Sequence, residues 1–283
     1  MSAYPKKVYL NGVILDHKEA KISVFDRGFL FGDGVYEVMV QLNGRRFYEK
    51  EHLDRLAMCL KKIRIDYDVK LLPGIIDKLL EASGIDGEDC LIYIQITRGT
   101  APRKHHFPEH IEPTVMLYAL PFELPAINNK AYKIQLLEDY RWHRCDIKSI
   151  SLSGSVLAND QAIRQGNNEA VFFRDGRITE GSHSNIFFVK EGIVYTHPAD
   201  AHILDGITRG IVIALCKMLN IPVKEQAILK EEAFTMDEAF LTGTTTQIAS
   251  IKQIDDHLYY HTHTPGPVTA KLQQAYLDLK KKY

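Results

Sequence analysis

Lys148 and Glu180 are the two residues in the second half of the chain whose types and settings suggest chemistry. A lysine amine can form an imine with an aldehyde and can then move a proton between two carbon atoms. A glutamate placed against a pyridine nitrogen can keep that nitrogen protonated, so that the ring withdraws electrons from a neighbouring carbanion. Each residue also has an ordinary interpretation, Lys148 as a surface lysine and Glu180 as a solvent-facing residue on a strand.

Two segments downstream of Glu180 have the composition of anion-binding sites. Gly206, Ile207 and Thr208 open a helical pattern, and the backbone N–H groups at a helix N-terminus bind anions. Residues 242–246, Thr-Gly-Thr-Thr-Thr, could supply hydroxyl and amide donors to the same anion. A simple helix start and a polar turn between strands explain the two segments equally well. Together, an amine, an acid and two phosphate-sized cradles in this order suggest one cofactor, pyridoxal phosphate.

Basic residues of interest also lie in the first half of the chain. Arg55 falls on a predicted helix, where an exposed charged face is the ordinary interpretation. Residues 97–108 are rich in cations for a loop. Arg103 and His105, two positions apart in an extended chain, would point to the same side and could bind one carboxylate. The alternative is a basic surface loop.

Composition and spacing exclude several other classes of protein. The chain has 283 residues with 35 basic and 36 acidic side chains, so no basic excess indicates nucleic acid or an anionic membrane as a partner. Four widely spaced cysteines without a Cys-x-x-Cys pair argue against a zinc site or a disulfide scaffold. His257, His261 and His263 have loose spacing and are predicted to form an exposed hairpin, so no metal is expected.

The two ends and the apolar runs indicate a soluble protein. No apolar run approaches the roughly 18 residues of a membrane span, and the N-terminus lacks a charged-then-apolar leader. The expected location is the cytoplasm.

Apolar periodicity predicts an α+β fold with two domains, residues 1–121 and 131–283, joined by a linker at residues 122–130. Asn-Gly at positions 11–12 and 43–44 predicts two hairpins, the second with its return strand at residues 45–48. Helices are predicted around residues 53–63 and 71–80, with strands at 91–97 and 114–120. The second half is predicted to contain a strand at 132–137, a helix at 156–164, a meander turning at 175–176 and 191–192, and helices from 207 and after 267.

Segments over nearly the whole chain resemble the class IV aminotransferases, the fold-type IV pyridoxal-phosphate enzymes, and within them the D-amino-acid-specific members. The matching segments are residues 26–37, 51–56, 97–108, 141–149, 179–185 and 195–198. Several long motifs in the same order are a strong signal, whereas any one of them alone is weak. The resemblance implies a smaller N-terminal domain, a larger cofactor-binding domain and a cofactor in the cleft between them.

The resemblance also implies roles for individual residues. Lys148 would be the Schiff-base lysine, and Glu180 would contact the pyridine nitrogen. Tyr36 would hold the substrate carboxylate together with Arg103 and His105, which a neighbouring subunit delivers, so a homodimer is implied. The other residues implied at the cofactor are Arg55, Ile207, Thr208, Gly243 and Thr244 at the phosphate, Leu204 against the ring face, and Ser184.

The implied reaction is reversible transfer of an amino group from a D-amino acid to a 2-oxo acid. D-Alanine and 2-oxoglutarate are the expected pair, giving pyruvate and D-glutamate. The discriminating segment is residues 102–105, because branched-chain and amine-selective relatives use different residues there. The chain departs from the family at His183, where a serine is common, and at Gly243, where some relatives carry serine.

Four alternatives remain open within this resemblance. Three are enzymes of the same fold, namely (R)-selective amine aminotransferases, branched-chain aminotransferases and a chorismate-derived lyase. The fourth is a cofactor-binding protein without turnover.

Overall fold

The computed structural model describes residues 4–127, 131–260 and 265–283. The chain divides into two compact units. The first comprises Met1–Glu123, Ile147–Ser151 and Tyr283, and the second comprises Leu124–Asp146 and Leu152–Lys282. The short segment that contains Lys148 therefore groups with the first unit. Part of the predicted linker, residues 128–130, lies outside the described residues.

The first unit is an antiparallel sheet with helices on one face. Its elements are β1 (Lys7–Leu10), β2 (Val13–Asp16), α1 (Arg27–Phe31), β3 (Gly34–Leu42), β4 (Arg45–Arg46), α2 (Glu49–Ile63), α3 (Leu72–Ser83), β5 (Cys90–Thr97) and β6 (Thr114–Pro121). The strand order is β2-β1-β6-β5-β3-β4. Alternate residues of β5 point to a core that α2 and α3 complete, since Ile92, Ile94 and Ile96 are buried with Leu56 and Ile76.

Both predicted hairpins are confirmed, because Asn and Gly at each turn take the positive φ that the tight turn requires. The return strand of the second hairpin is shorter than predicted. β4 ends at Arg46, since Tyr48 takes a left-handed conformation and α2 begins at Glu49. The five-residue helix α1 was not predicted, because it is too short to display a helical period.

The second unit is built on a nine-stranded mixed sheet. Its elements are β7 (Tyr132–Glu138), α4 (Ser153–Arg164), β8 (Glu169–Arg174), β9 (Arg177–Gly181), β10 (Asn185–Lys190), β11 (Ile193–Thr196), α5 (Ile207–Met218), β12 (Val223–Glu225), β13 (Glu238–Gly243), β14 (Gln247–Ile254), β15 (His257–Leu258) and α6 (Pro267–Lys280). The order is β12-β11-β10-β13-β14-β7-β8-β9, with β15 paired to β14. The pairs β7–β8, β7–β14 and β11–β12 are parallel.

The helices and strands predicted for the second half are confirmed, with small shifts at their ends. The predicted helix at 156–164 begins three residues earlier, at Ser153. Of the four apolar residues predicted to face inward on the last helix, Leu272 and Tyr276 are buried, whereas Ala275 and Leu279 are half-buried. Of the predicted tail hairpin, His257 lies in β15, whereas His261 and His263 lie outside the described residues. Over the described part of the chain, no helix combines the length and the apolar character needed to cross a membrane.

Candidate active site

Lys148 lies in an extended segment that runs beside β3. Its carbonyl accepts a hydrogen bond from the Tyr36 N–H at 3.0 Å, and Ser149 forms a β-bridge with Val35. Its own N–H donates to Cys59 Sγ at 3.4 Å. The backbone is therefore held on both sides while the side chain stays half-buried. This is the setting of a fixed, accessible amine and not of a surface lysine.

The Tyr36 ring is the nearest aromatic surface to that amine. Lys148 Nζ lies 4.3 Å from the centroid of the Tyr36 ring. Tyr36 stacks on Tyr93 with centroids 5.7 Å apart, and Tyr93 stacks on Tyr118 at 4.9 Å. The three tyrosines cross the sheet from β3 to β6, so packing fixes the orientation of Tyr36. The structure thus brings two predicted site residues, Lys148 and Tyr36, together.

Arg55 is buried and not on an exposed face, so the ordinary interpretation of this residue was wrong. Its Nε and Nη2 atoms donate to the two oxygens of Glu37 at 2.9 and 2.6 Å. Nδ1 of His52 lies 3.0 Å from the same carboxylate. Burial alone would raise the pKa of Glu37, but Arg55 and His52 hold that pKa far below its ordinary value. The sequence did not indicate Glu37 or His52, although His52 and Arg55 lie on one face of α2.

Arg103 and His105 are both exposed and both contact Phe31. The Arg103 guanidinium lies 5.0 Å from the centroid of the Phe31 ring, and the His105 ring centroid lies 5.7 Å from it. Both side chains therefore pack against the same residue, Phe31. A guanidinium and an imidazole are donors of the kind that can bind a carboxylate.

Arginine contacts hold this loop to the body of the first unit. Arg27 donates to the Lys104 carbonyl at 2.6 Å, and the Asp33 carboxylate binds both Arg27 and Arg98. The Arg98 guanidinium lies 3.5 Å from the centroid of the Phe107 ring. The loop is thus anchored at the residue between Arg103 and His105 and again at its end.

In the second unit, Glu180 is only 5% exposed. Its Oε1 accepts a hydrogen bond from Nη1 of Arg141 at 2.9 Å. Its Oε2 accepts one from the Leu204 N–H at 2.9 Å and one from Nδ2 of Asn185 at 3.4 Å. A solvent-facing strand glutamate is therefore excluded. Burial raises the pKa of Glu180 to about 7, against Arg141 and the Leu204 N–H, which lower it. This acid can change charge close to neutral pH.

Arg141 is fixed by a second carboxylate. Its Nε and Nη2 atoms donate to the two oxygens of Asp139 at 2.9 and 3.0 Å. Its guanidinium also lies 4.2 Å from the centroid of the Phe172 ring. Asp139 also forms an ion pair with Arg174 at 3.2 Å, so this carboxylate is shared by two guanidinium groups. No separate role was predicted for Arg141 from the sequence.

The start of α5 has no side-chain cap. Gly206 precedes the helix, and its backbone leaves the first N–H groups, including those of Ile207 and Thr208, to other partners. A Cβ at Gly206 would overlap Oδ1 of Asn185. Nδ2 of Asn185 donates to the Leu204 carbonyl at 2.8 Å, so this side chain holds the loop that leads into α5.

The second predicted cradle lies beside the first within this unit. Asn185 of β10 pairs with Thr242 of β13, and Gly243 ends that strand. Residues 243–246 form a half-buried turn that carries Thr244. The Thr242 hydroxyl is buried and has no hydrogen-bond partner among the described residues. A polar turn alone does not account for a buried hydroxyl without a partner.

Ser184 donates its hydroxyl to Oε1 of Glu169 at 2.8 Å. The same oxygen accepts the His183 N–H at 3.0 Å and the Ser182 hydroxyl at 3.3 Å. Glu169 is fully buried, and its spacing in the sequence gives no signal of a role at this site. His183, which stands in place of the common serine, is half exposed, with Nδ1 lying 3.0 Å from Oγ of Ser182.

This donor set fits pyridoxal phosphate. The α5 N-terminus and the unpartnered Thr242 hydroxyl offer donors of the kind that bind a phosphate. Glu180 is an acid whose proton affinity near neutrality suits a partner with a basic ring nitrogen. In the first unit, Lys148 offers an amine whose backbone is fixed. Amine, acid and phosphate donors are thus all present.

Comparison with known proteins gives the family. The sequence model described as Amino-transferase class IV matches residues 34–254. D-Alanine aminotransferase of Staphylococcus haemolyticus is 36% identical over 274 residues, covering 95% of this chain and 96% of the relative. D-Alanine aminotransferase of Bacillus licheniformis is 36% identical over 272 residues, 95% of each chain.

Solved structures agree with this. The branched-chain aminotransferase of Thermoproteus uzoniensis with norvaline superposes with a TM-score of 0.86 at 29% identity, covering 98% of this chain and 95% of the other. The T.th. branched-chain amino acid aminotransferase with pyridoxamine 5'-phosphate gives 0.88 at 25% identity, covering 99% and 96%. The chain belongs to the class IV aminotransferases, which are fold-type IV enzymes that use pyridoxal phosphate.

Proposed function

We propose that this enzyme transfers an amino group reversibly from a D-amino acid, D-alanine first, to a 2-oxo acid such as 2-oxoglutarate. The products are pyruvate and D-glutamate. The single observation that carries the choice of substrate is that Arg103 and His105 both pack against Phe31 on one exposed loop. The names of the 36%-identical relatives support the same choice.

Lys148 is the residue we assign to the chemical step. Pyridoxal phosphate, when bound, supplies an aldehyde for the amino group and a ring that withdraws electrons from the substrate Cα. Lys148 would hold the cofactor's aldehyde until the substrate amine displaces it, and the freed Nζ would then take the proton from Cα and return it on the other side of the transferred nitrogen. The fixed backbone of Lys148 restricts where Nζ can reach. Borohydride reduction followed by peptide mapping should place a pyridoxyl group on Lys148 and on no other lysine.

Glu180 sets the charge at the cofactor's ring nitrogen in this proposal. A protonated ring nitrogen stabilises the ionised form of Glu180, which burial otherwise disfavours. The Leu204 N–H and Arg141 hold the carboxylate in one orientation. We assign the ring face to the half-buried Leu204.

The remaining cofactor contacts are donors to the phosphate. Ile207 and Thr208 present backbone N–H groups at the start of α5, where the helix dipole favours an anion. Thr244, with the Gly243 amide, extends the same donor set from the turn after β13. We assign Arg55 to the phosphate as its cationic partner. Ser184 acts through Glu169, to which its hydroxyl donates.

Substrate recognition and assembly are linked. Tyr36, Arg103 and His105 hold the α-carboxylate, so that the Cα–H bond of a D-amino acid faces Lys148. Because Arg103 and His105 are exposed on the single chain, we propose that each chain delivers them to a second copy in a homodimer. Four buried free cysteines support a cytoplasmic location, where thiols stay reduced.

The test is a comparison of half-reactions. The purified enzyme is mixed with D-alanine, L-alanine and L-leucine, and the absorbance between about 320 and 430 nm is followed as the cofactor takes up the amino group. Rapid conversion with D-alanine alone supports the proposal. A preference for L-leucine would instead support the branched-chain activity for which the structural neighbours are named. No conversion with any amino acid would indicate a binding protein without turnover.

A further inference from the structure

Three metal-ligating side chains lie together on the loop that connects β11 to α5. His197, Asp200 and His202 each place one ligand atom within 4.8 Å of the other two. The residues of this loop that precede Leu204 have no role in the proposed amino transfer. Among the residues that the structure describes, this is the one group of at least three histidines, cysteines or carboxylates with such spacing.

The distances between these atoms approach those of a metal site. Nδ1 of His202 lies 3.4 Å from Oδ1 of Asp200, and Nδ1 of His197 lies 3.8 Å from the same oxygen. Ligands that bind zinc tetrahedrally at roughly 2.0–2.1 Å are separated by about 3.3 Å. A small rotation of the two imidazoles therefore closes the site around an ion.

The backbone holds the three ligands in position. The His202 N–H donates to Oδ1 of Asp200 at 2.8 Å, which orients the carboxylate. His197 is buried, and its Nδ1 lies 2.9 Å from the Pro198 carbonyl. Metal ligation at Nδ1 replaces that hydrogen bond and leaves the ring proton on Nε2, so the imidazole binds in its neutral form.

The charges around the cluster allow a cation. The nearby Arg209 donates to Asp205 at 3.0 Å, to Glu225 at 2.6 Å and to the His197 carbonyl at 2.9 Å. Two carboxylates therefore offset the charge of this arginine, and Asp200 remains to offset that of an ion. Asp200 and His202 are accessible from solvent, which gives the ion a path of entry.

We propose that His197, Asp200 and His202 form a binding site for a divalent transition-metal ion, with zinc as the best match. Two imidazoles and one carboxylate suit zinc, cobalt and nickel, and exclude magnesium and calcium, which prefer oxygen ligands. A bound ion would tie the end of β11 to the loop that leads to Leu204 and α5. The site is structural and independent of the amino-transfer chemistry.

The experiment measures metal binding directly. Tag-free holoenzyme in a non-chelating buffer is titrated with Zn²⁺ by calorimetry and with Co²⁺ by visible d–d absorption. The expected result is one ion per chain, with tetrahedral cobalt bands and a melting temperature that rises to saturation with zinc. His202→Gln and Asp200→Asn should each weaken zinc binding by at least about 10-fold. Asp200→Asn keeps an oxygen for the His202 N–H, so the turn survives the change.

A control variant outside the cluster and two contradicting outcomes complete the experiment. His110→Gln alters an exposed histidine outside the cluster and should leave zinc binding unchanged. The proposal is overturned if the wild type binds no zinc. It is equally overturned if His202→Gln and Asp200→Asn bind zinc as tightly as the wild type does, because the ion then lies elsewhere. Neither result bears on transamination, which is measured separately.

Discussion

Glu180 shows how the burial of one carboxylate sets its chemistry. The sequence places a glutamate on a strand, but only the fold shows that Arg141, Leu204 and Asn185 surround it. These partners come from three separate segments, and none of them follows from the spacing around Glu180. Lys148 and Glu180 could be proposed from residue type and family motif, whereas the pairs Arg55–Glu37 and Arg141–Glu180 could not. Ion-pair partners that are distant in sequence carry no local signal.

The first prediction concerns the pH dependence of stability in the cofactor-free protein. Glu180 has a folded-state pKa of about 7, above its ordinary value of 4.5. The folded state therefore binds more protons than the unfolded state between these values. The stability that Glu180 contributes is present below pH 4.5 and is lost as the pH rises to 7, a change of about 3 kcal/mol. Glu180→Gln should not show this loss.

Urea unfolding of both proteins from about pH 5 to pH 8 measures the difference. Comparing the two proteins cancels the contributions of His52 and His197, whose pKa values burial lowers. Glu138→Gln, an exposed change on β7, is the control and should follow the wild type. Parallel curves for Glu180→Gln and the wild type would show that Glu180 does not titrate in this range.

The same variant also has an expected effect on catalysis. Glu180→Gln should still bind the cofactor yet slow the half-reaction strongly.

The second prediction concerns the substrate carboxylate. A charge-assisted hydrogen bond to a carboxylate contributes roughly 1.5–3 kcal/mol. Arg103→Ala should therefore lower kcat/KM for D-alanine by about 10- to 150-fold. An amine that lacks a carboxylate should hardly be affected. Lys104→Ala is a matched control, because Arg27 binds only the Lys104 carbonyl, which the alanine keeps. Equal losses for D-alanine and the amine in Arg103→Ala would contradict the assignment.

At the scale of elements, local signals predicted most of the fold. Asn-Gly turns and apolar periods indicated β1, β2, α2, α3 and the meander, because these elements are stabilised by their own sequence pattern. The short helix α1 could not be predicted. It is fixed by long-range contacts, since the hydroxyls of Thr97 and Thr114 donate to Asp26, the cap of α1. Two hydroxyls from other strands therefore position the start of that helix.

The third prediction concerns the start of α5. The backbone φ of Gly206 is −71°, which alanine adopts without strain. The one unfavourable effect of Gly206→Ala is therefore the steric overlap of the new Cβ with Oδ1 of Asn185. That overlap displaces the side chain that holds the Leu204 carbonyl. Gly206→Ala should weaken pyridoxal-phosphate binding by at least about 10-fold, measured by equilibrium dialysis.

Gly210 supplies the control within the same helix. A Cβ at Gly210 meets nothing within 4 Å, so Gly210→Ala should stabilise the protein by about 0.5–1 kcal/mol and leave the affinity for the cofactor unchanged. Gly206→Ala with full affinity would mean that the α5 N-terminus does not hold the phosphate.

At the scale of the whole molecule, the surface of α4 supports a dimer. Val156 and Leu157 are 61% and 63% exposed, and Trp142 and Tyr140 are also largely exposed. Exposed apolar side chains are typical of interfaces between chains, so these residues support the homodimer proposed above. The sequence predicted α4 as a helix but could not tell that its apolar residues face outwards, because helical spacing alone does not say which face is covered.

The fourth prediction is that Leu157→Glu separates the proposed homodimer. In each subunit, the substitution removes the free energy gained by burying leucine, about 1.5–3 kcal/mol, and adds the cost of desolvating a charge. Sedimentation velocity should show monomers, and activity with D-alanine should fall. Met218→Glu adds the same charge at a residue that is 64% exposed on α5, and it should remain a dimer. A dimeric, fully active Leu157→Glu protein would place the interface elsewhere.

The fifth prediction tests whether two subunits share each site. Lys148→Ala leaves Arg103 intact, and Arg103→Ala leaves Lys148 intact. If each chain delivers Arg103 to its neighbour, a mixed dimer of the two variants regains one complete site, with Lys148 from one subunit and Arg103 from the other.

Random mixing at equal concentrations gives half mixed dimers, so about a quarter of wild-type activity with D-alanine should return. The two variants are unfolded and refolded together with cofactor, and each is also refolded alone as the control. If Arg103 acted on its own chain, no mixed dimer could combine it with Lys148, and activity would stay at the level of the separate variants. Complementation therefore distinguishes a trap delivered by the neighbouring subunit from one formed within a single chain.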